Sequence, residues 1–226
     1  MKTSVIIALV VAFALFSIGG TYLATKGSSN SAATTPTTTP TTTATSSAKV
    51  TPMPSMAPTP TAPADAVSAH QVKLSTTMGD ITLNLYPADA PLAVTNFVTL
   101  GKRGYYNGTI FHRVIKGFMN QGGDPTGTGS GGESIYGKIF KTEITKHSFI
   151  AGSLGAARTN AMDTNGSQFF INAAEYPSLD GQYTQFGQTA DESSLAVVKA
   201  INSVPTGASD KPTADIKVTG FEITQA

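Results

Sequence analysis

The run from Gly27 to Ala66 is drawn almost wholly from Thr, Ser, Pro and Ala, and only Lys49 and Asp65 within it carry charge. No other feature constrains the chain as much. The run has no hydrophobic periodicity, hence no apolar face to offset the entropy of ordering, and it is predicted to be a disordered linker. Its recurring prolines favour an extended, semi-stiff chain, about 3 Å per residue and on the order of 100 Å in total. The chain therefore divides into residues 1–26, the linker 27–66, and a segment 67–226 that alone can build a core. The charged fraction of 13% is low for a soluble domain because nearly all the charge sits in that last segment.

Ahead of the linker, Val5 to Phe16 holds no polar side chain, and the uncharged run continues to Ala24 before Lys26. About 20 apolar residues cross a bilayer, whereas the core of a signal peptide has about 7–15. The run lies between the two, so it reads as a membrane anchor through residues 5–24 or as a signal peptide, with small residues at Ser17-Ile18-Gly19 for cleavage. Both readings keep Lys2 inside and export the rest. The expected location is extracytoplasmic, anchored to the cell membrane or, after cleavage, secreted. The linker then serves as a stalk, either O-glycosylated through its hydroxyls or a plain tether.

Charge and composition exclude several classes. A net charge of +1 argues against nucleic acid as a partner, since phosphate binding needs a cationic face. The absence of cysteine rules out disulfides, a thiol nucleophile, iron–sulfur clusters and cysteine-based zinc sites. Three histidines, His70, His112 and His147, leave little for a histidine-rich metal site. No cofactor is expected, and a monomer is.

Within 67–226 the pattern is mainly β. Val72, Leu74 and Thr76, then Ile81, Leu83 and Leu85, alternate around Met78-Gly79-Asp80 as a hairpin. Asp89-Ala90-Pro91 predicts a helix start, with Asp89 as N-cap and Pro91 in the first turn, continuing through Val94, Phe97 and Val98 to Leu100-Gly101. Short strands are predicted over Thr109–Val114, Phe118–Gln121, Phe149–Ala157, Gln168–Asn172 and Thr184–Gly187. Asp191 caps a second helix carrying Leu195, Val198 and Ile201. Ile216, Val218 and Ile223 form a closing strand, with a bulge near Phe221. Many short strands, glycine-rich turns and two helices predict a closed β-barrel with helical caps.

Three stretches carry the chemistry. In the first, Phe111 to Asp124, strand alternation puts Arg113 on a face with Phe111 or Ile115. An arginine among apolar residues is costly unless it is paired or used. His112 by itself reads as a satisfied core histidine. In the second, Leu154 to Asn172, Phe169 and Phe170 point to opposite sides, so one can fill the barrel while the other lies on a surface pocket. The third, Ser178 to Gly187, reads by itself as a turn into a core strand. Asn107-Gly108-Thr109 and Asn165-Gly166-Ser167 match the glycosylation sequon but read first as turn residues.

Together these stretches resemble the cyclophilin-type peptidyl-prolyl isomerases from about Val72 to Ile223. The Phe-His-Arg-Val-Ile…Phe-Met…Gln-Gly-Gly-Asp block, Gly132-Glu133-Ser134-Ile135-Tyr136-Gly137, the Asn-Gly-Ser-Gln-Phe-Phe-Ile block and Leu-Asp-Gly…Phe-Gly occur in family order. The resemblance implies a closed eight-stranded antiparallel β-barrel capped by two α-helices, with a packed interior and a substrate groove on the outer barrel surface that takes proline-containing polypeptides. It implies Arg113 as the catalytic arginine and Gln121 as the side chain that orients it. Phe118, Met119, Phe170 and Leu179 would line the proline pocket, with Ala157, Arg158 and Tyr183 also contacting substrate. Two departures bear on peptide preference: Arg158 stands where asparagine is common, and one extra residue precedes Gln168. Tyr183 takes a position often held by histidine. Ser178 stands where many members carry tryptophan, which implies weaker cyclosporin-type binding. The implied function is isomerisation of X-Pro bonds in exported or surface proteins, assisting their folding. Competing readings are a binding module that captures proline-containing segments without turnover, and a wall or adhesion protein suggested by the stalk alone.

Overall fold

The computed structural model describes residues Ala69 to Gln225. The expected anchor or signal segment and the linker lie outside the described residues. Within them the fold is mainly β: eight strands in one sheet, β1 (Gln71–Thr76), β2 (Gly79–Leu85), β3 (Arg113–Ile115), β4 (Met119–Gly122), β5 (Ser153–Ala156), β6 (Phe169–Asn172), β7 (Gln185–Thr189) and β8 (Val218–Gln225), with helices α1 (Pro91–Lys102) and α2 (Glu192–Asn202). The spatial order is β3-β4-β6-β5-β7-β2-β1-β8, and every pairing is antiparallel. The sheet curls strongly, and the expected closed barrel is met only in part. Edge strands β3 and β8 share no ladder. The gap between them is spanned by the segment before β3, where Phe111 N–H donates to the Ile216 carbonyl (3.0 Å), Val218 N–H to the Thr109 carbonyl (2.9 Å) and Gly108 N–H to the Val218 carbonyl (2.8 Å).

The alternation that predicted the β1–β2 hairpin is the burial pattern itself. Val72, Leu74, Ile81 and Leu83 are wholly buried while their strand neighbours are not. Alternation in a strand sends successive side chains to opposite faces. The inner face meets α1 through Val94, Phe97 and Val98, and the Phe97 ring touches Phe169, Phe186, Tyr106 and Phe221 at centroid separations of 5.2–5.4 Å. Gly101 lies inside α1 rather than ending it. A Cβ there would sit 2.5 Å from the Phe221 ring, so glycine is what lets the helix approach β8. The β1–β8 register slips twice, between Gln71 and Val72 and between Ser75 and Thr76, and the second slip places a bulge at Thr219, two residues before Phe221.

The helix caps divide into a local and a distant solution. Asp191 caps α2 as expected, accepting from the Ser194 N–H at 2.7 Å. Asp89 does not cap α1. Ala90 holds the cap position without a side-chain bond, and Glu143, far along the chain, accepts from the Leu92 and Ala93 N–H groups at 2.9 Å each. These are donors that a helix start leaves unpaired, and a carboxylate there also answers the helix dipole. Asp89 instead meets His147, which stacks on Tyr86.

α2 positions the functional face from behind. Val198 and Ile201 are buried as expected, but Leu195 is half-exposed, and Ser194 and Asn202 take inward positions. The Asn202 amide donates to the Ile115 carbonyl (2.9 Å) and to Asn120 Oδ1 (2.8 Å), and accepts from the Gly117 N–H (2.7 Å). Asn120 in turn donates to the Val198 carbonyl. The turn between β3 and β4 is thereby tied to the end of α2.

Candidate functional site

Register across the sheet decides which side chains meet. Arg113 on β3 pairs with Gln121 on β4, Gln121 with Phe170 on β6, and Phe170 with Gly155 on β5. Directly opposed residues share a face, so Arg113, Gln121 and Phe170 form one row on the outer surface of the curled sheet. Ile115 shares that face and Val114 points inward, while Phe111 sits in the interior cluster. Of the two partners predicted for Arg113, the structure selects Ile115.

Phe169 and Phe170 part as alternation requires. Phe169 enters the interior among Phe97, Tyr106 and Phe111. Phe170 joins a separate outer cluster with Phe118, Met119, Phe149 and Leu179, flanked by Ile115, Ala157, Tyr176 and Tyr183. Its ring stacks on Phe149 (5.7 Å) and meets Tyr183 edge-on (5.8 Å), while Phe118 lies 4.1 Å from Tyr176. Gly155 has no side chain beneath the ring. A Cβ there would fall 2.3 Å from Phe170 Cζ, so this glycine lets the ring lie flat against the sheet.

All the predicted pocket residues thus come together. Leu179 arrives on a single 3-10 turn, Pro177–Leu179, which also leaves Ser178 exposed. Asp180 fixes that turn by accepting from the Phe149 N–H at 2.8 Å, and the Tyr176 N–H returns a bond to the Phe149 carbonyl at 2.7 Å. Phe149, Tyr176 and Ile115 belong to the cluster and were not anticipated. Phe149 carried a signal, as an aromatic opening a predicted strand. Tyr176 carried none, because it lies in irregular chain.

The polar side of the row is ordered by two linked amides. Gln121 Nε2 donates to Gln168 Oε1 at 2.8 Å, and Gln168 Nε2 donates to the carbonyls of Gly129 and Gly131. The loop carrying those glycines wraps around Asp124. The Asp124 carboxylate accepts from the N–H groups of Thr126, Gly129 and Gly131 and from the Thr126 hydroxyl. Burial pushes its pKa up, but these bonds together outweigh that and hold it below the usual carboxylate range. Arg113 is half-buried, and its Nε donates to Asp210 Oδ2 at 3.4 Å.

Arg158 is spent on the rim. Its guanidinium donates to the Gln182 carbonyl from Nε (3.2 Å) and Nη2 (2.8 Å) and to the Thr159 carbonyl from Nη1 (2.8 Å), and it lies 4.4 Å above the Tyr183 ring. It clamps the segment after β5 onto the turn that carries Tyr183. His112 departs from the satisfied core residue expected. It is buried, and neither ring nitrogen meets a partner in hydrogen-bonding geometry. Burial leads in lowering its pKa, and Arg113 and Lys211 add to this, while Asp124 and a weak contact with the Ile110 backbone oppose it. Asn165 is also no simple turn residue. It is fully buried, and its Nδ2 donates to the Phe140 carbonyl and to the Thr142 hydroxyl, whereas Asn107 is exposed. Among the described residues no group of His, Asp or Glu could hold a metal ion, and no helix is long and apolar enough to cross a membrane.

This arrangement places an apolar, aromatic-rich cluster on the outer face of the sheet beside one cationic donor and a row of amides. It holds no nucleophile paired with a base. It is suited to gripping a compact apolar ring and stabilising charge that develops beside it. The comparisons agree in class. The family model described as cyclophilin type peptidyl-prolyl cis-trans isomerase/CLD matches residues 71–223. The peptidyl-prolyl cis-trans isomerase cypE of Dictyostelium discoideum is 51% identical over 153 residues, which cover 67% of this chain and 96% of that protein. The human peptidyl-prolyl cis-trans isomerase-like 1 is 47% identical over 157 residues, 69% of this chain and 93% of that one. Among solved structures, a cyclophilin type peptidyl-prolyl cis-trans isomerase of Cryptosporidium parvum is 40% identical with a TM-score of 0.66, covering 70% of this chain and 98% of that chain. A second structure of that protein was determined in the presence of the dipeptide Ala-Pro.

Proposed function

Since the chain belongs to the cyclophilin-type peptidyl-prolyl cis-trans isomerases, we propose that Arg113 and the outer aromatic pocket are what turn over its X-Pro bonds. The barrier to rotation about a peptide bond is about 18–20 kcal/mol, and uncatalysed X-Pro exchange takes tens of seconds or longer. At the twisted transition state the amide loses its resonance, and its nitrogen becomes pyramidal and basic. A charged donor beside that nitrogen favours the twisted state over the planar one, which is differential binding. Arg113 is the donor, and no proton need be transferred. Phe118, Met119, Phe170 and Leu179 hold the proline ring while the acyl side rotates. Gln121, anchored on Gln168, orients the polar side, and the edge at Ala157 receives the residue before proline. A preorganised charged donor in such a site is worth about 3 kcal/mol.

The observation that carries this reading is the single outer row Arg113, Gln121, Phe170, assembled from three strands by register. Exchange NMR on an Ala-Pro peptide with the full chain tests it. Wild type accelerates exchange, and Arg113→Ala loses about a hundredfold with the fold retained. Equal rates would remove Arg113 from the reaction. Peptide binding without accelerated exchange would instead support the capture module.

Arg158 and Ser178 bear on what the groove prefers. The Arg158 clamp supports a rim geometry different from that of members with asparagine, and exposed Ser178 supports weak cyclosporin-type binding. The apolar run at residues 5–24 supports clients among exported or surface proteins, and an anchored or secreted enzyme. The mass of the mature N-terminus together with membrane fractionation tests that location; an intact N-terminus in the cytosolic fraction overturns it.

A further inference from the structure

We infer that Asp210 is a positioning residue for the isomerase reaction, holding the Arg113 guanidinium over the outer groove; this rests on the role of Arg113 proposed above. Arginine has a long, rotatable side chain, and its freedom must be restricted before it can stabilise a transition state. Among the described residues Arg113 forms an ion pair with Asp210, through Nε, at 3.4 Å. Nε is the nitrogen nearest the stem, so a carboxylate there fixes where the fork points.

A second observation is the backbone that delivers the carboxylate. Ser209 and Asp210 are successive non-glycine residues with φ of +59° and +58°. Left-handed backbone costs an ordinary residue about 1–2 kcal/mol, and two in a row persist only where the surroundings over-determine them. Such strain is typical of functional sites. Here the loop is pinned at its base: Gly207 N–H donates to the Lys211 carbonyl (2.7 Å), Thr213 N–H to the Pro205 carbonyl (3.0 Å), and Thr206 bridges Pro212. The pinned loop contacts β3, and while Pro212 is buried, residues 208–210 at its tip carry no buried side chain. What it presents to β3 is the Asp210 carboxylate.

Asp210→Asn is the informative variant. Asparagine accepts a hydrogen bond and tolerates left-handed backbone, so the loop persists while the charge is lost. The expected loss in kcat is about two- to fivefold, with KM unchanged, as suits a half-exposed pair. Asp210→Glu should recover part of that loss. In an Arg113→Ala background the same Asp210→Asn change should have no effect on the residual rate, a silence that a purely structural role would not produce. A rate for Asp210→Asn equal to or above wild type overturns the inference, as does an equal loss in both backgrounds. If wild type itself fails to accelerate exchange, or Arg113→Ala is fully active, the role of Arg113 has failed first, and the two failures are distinguishable.

Discussion

Phe169 and Phe170 are the same residue type on one strand, and both are almost fully buried, at 1% and 5% exposure. Their surroundings differ completely. Phe169 is enclosed by edge-on aromatic rings from α1 and from the turns around Tyr106 and Phe111. Phe170 lies on the far side of the sheet against Phe149 and Tyr183, in a cluster of five buried residues. Extent of burial does not separate a core residue from a pocket residue; what lies beyond the ring does. The interior cluster is closed by the sheet and a helix. The outer one packs on the opposite face of the sheet, on the same side as the row of Arg113 and Gln121.

The sharpest break in that comparison is energetic. Phe169→Ala should cost about 3–5 kcal/mol of stability, read as a fall in the denaturant midpoint. Phe170→Ala should cost distinctly less and lose peptide exchange with most of the fold intact. Equal destabilisation by the two would erase the division into interior and site. Next is Arg113→Ala, about 3 kcal/mol of transition-state stabilisation, with the midpoint unmoved. Between these two classes stands Asn202, which belongs to the interior but ties the β3–β4 turn through three hydrogen bonds. Asn202→Ala leaves buried partners unsatisfied, at about 1–3 kcal/mol. It should lower both midpoint and exchange rate, whereas an effect on only one would place that turn wholly with the core or wholly with the site.

Acid tests the outer loop against the interior by a smaller effect. His112 has its pKa lowered by burial, so the unfolded chain binds the proton first. Stability is then fully present above about pH 6.5 and declines as pH falls through the window below it. Asp124 is also lowered, with its hydrogen bonds outweighing burial, so its contribution is lost below about pH 4, as pH falls through its folded value. A titration of the unfolding midpoint should show both limbs. His112→Gln flattens the upper limb and Asp124→Asn the lower; upper limbs of equal slope in wild type and His112→Gln would remove His112 from the account.

Much of this was legible along the chain because it depends on neighbours. The β1–β2 hairpin, the Asp191 cap and the split of Phe169 from Phe170 follow from alternation or from contacts three residues apart. What was not legible joins distant residues. Glu143 replaces Asp89 as the cap of α1 from 50 residues away, and no local pattern announces such a partner. Asp210 reaches Arg113 from 97 residues away. The pocket residues Phe118, Met119, Phe170 and Leu179 were named through family resemblance. Their meeting depends on strand order and register, which periodicity does not specify. The barrel's closure was overestimated for a similar reason: strand count and turns resemble those of a closed barrel, while the β3–β8 seam depends on a few backbone bonds from the irregular segment before β3.

The smallest expected effect concerns the strained loop, and it separates holding Asp210 in place from merely tolerating it. Ser209 has φ +59° and ψ +30°, a conformation glycine adopts freely. Ser209→Gly removes that local cost but makes the unfolded chain more flexible. The net gain is about 0.5 kcal/mol, or about 1–2 °C in Tm for a domain of this size. Because the pins at Gly207, Lys211 and Thr213 remain, Asp210 stays opposite Arg113, and the exchange rate should match wild type. Asp210→Asn, by contrast, leaves Tm unchanged and slows exchange. A variant pair that moved both quantities together would mean that loop conformation and the arginine's position are one property, and that the strain at Ser209 is itself what sets the carboxylate against the guanidinium.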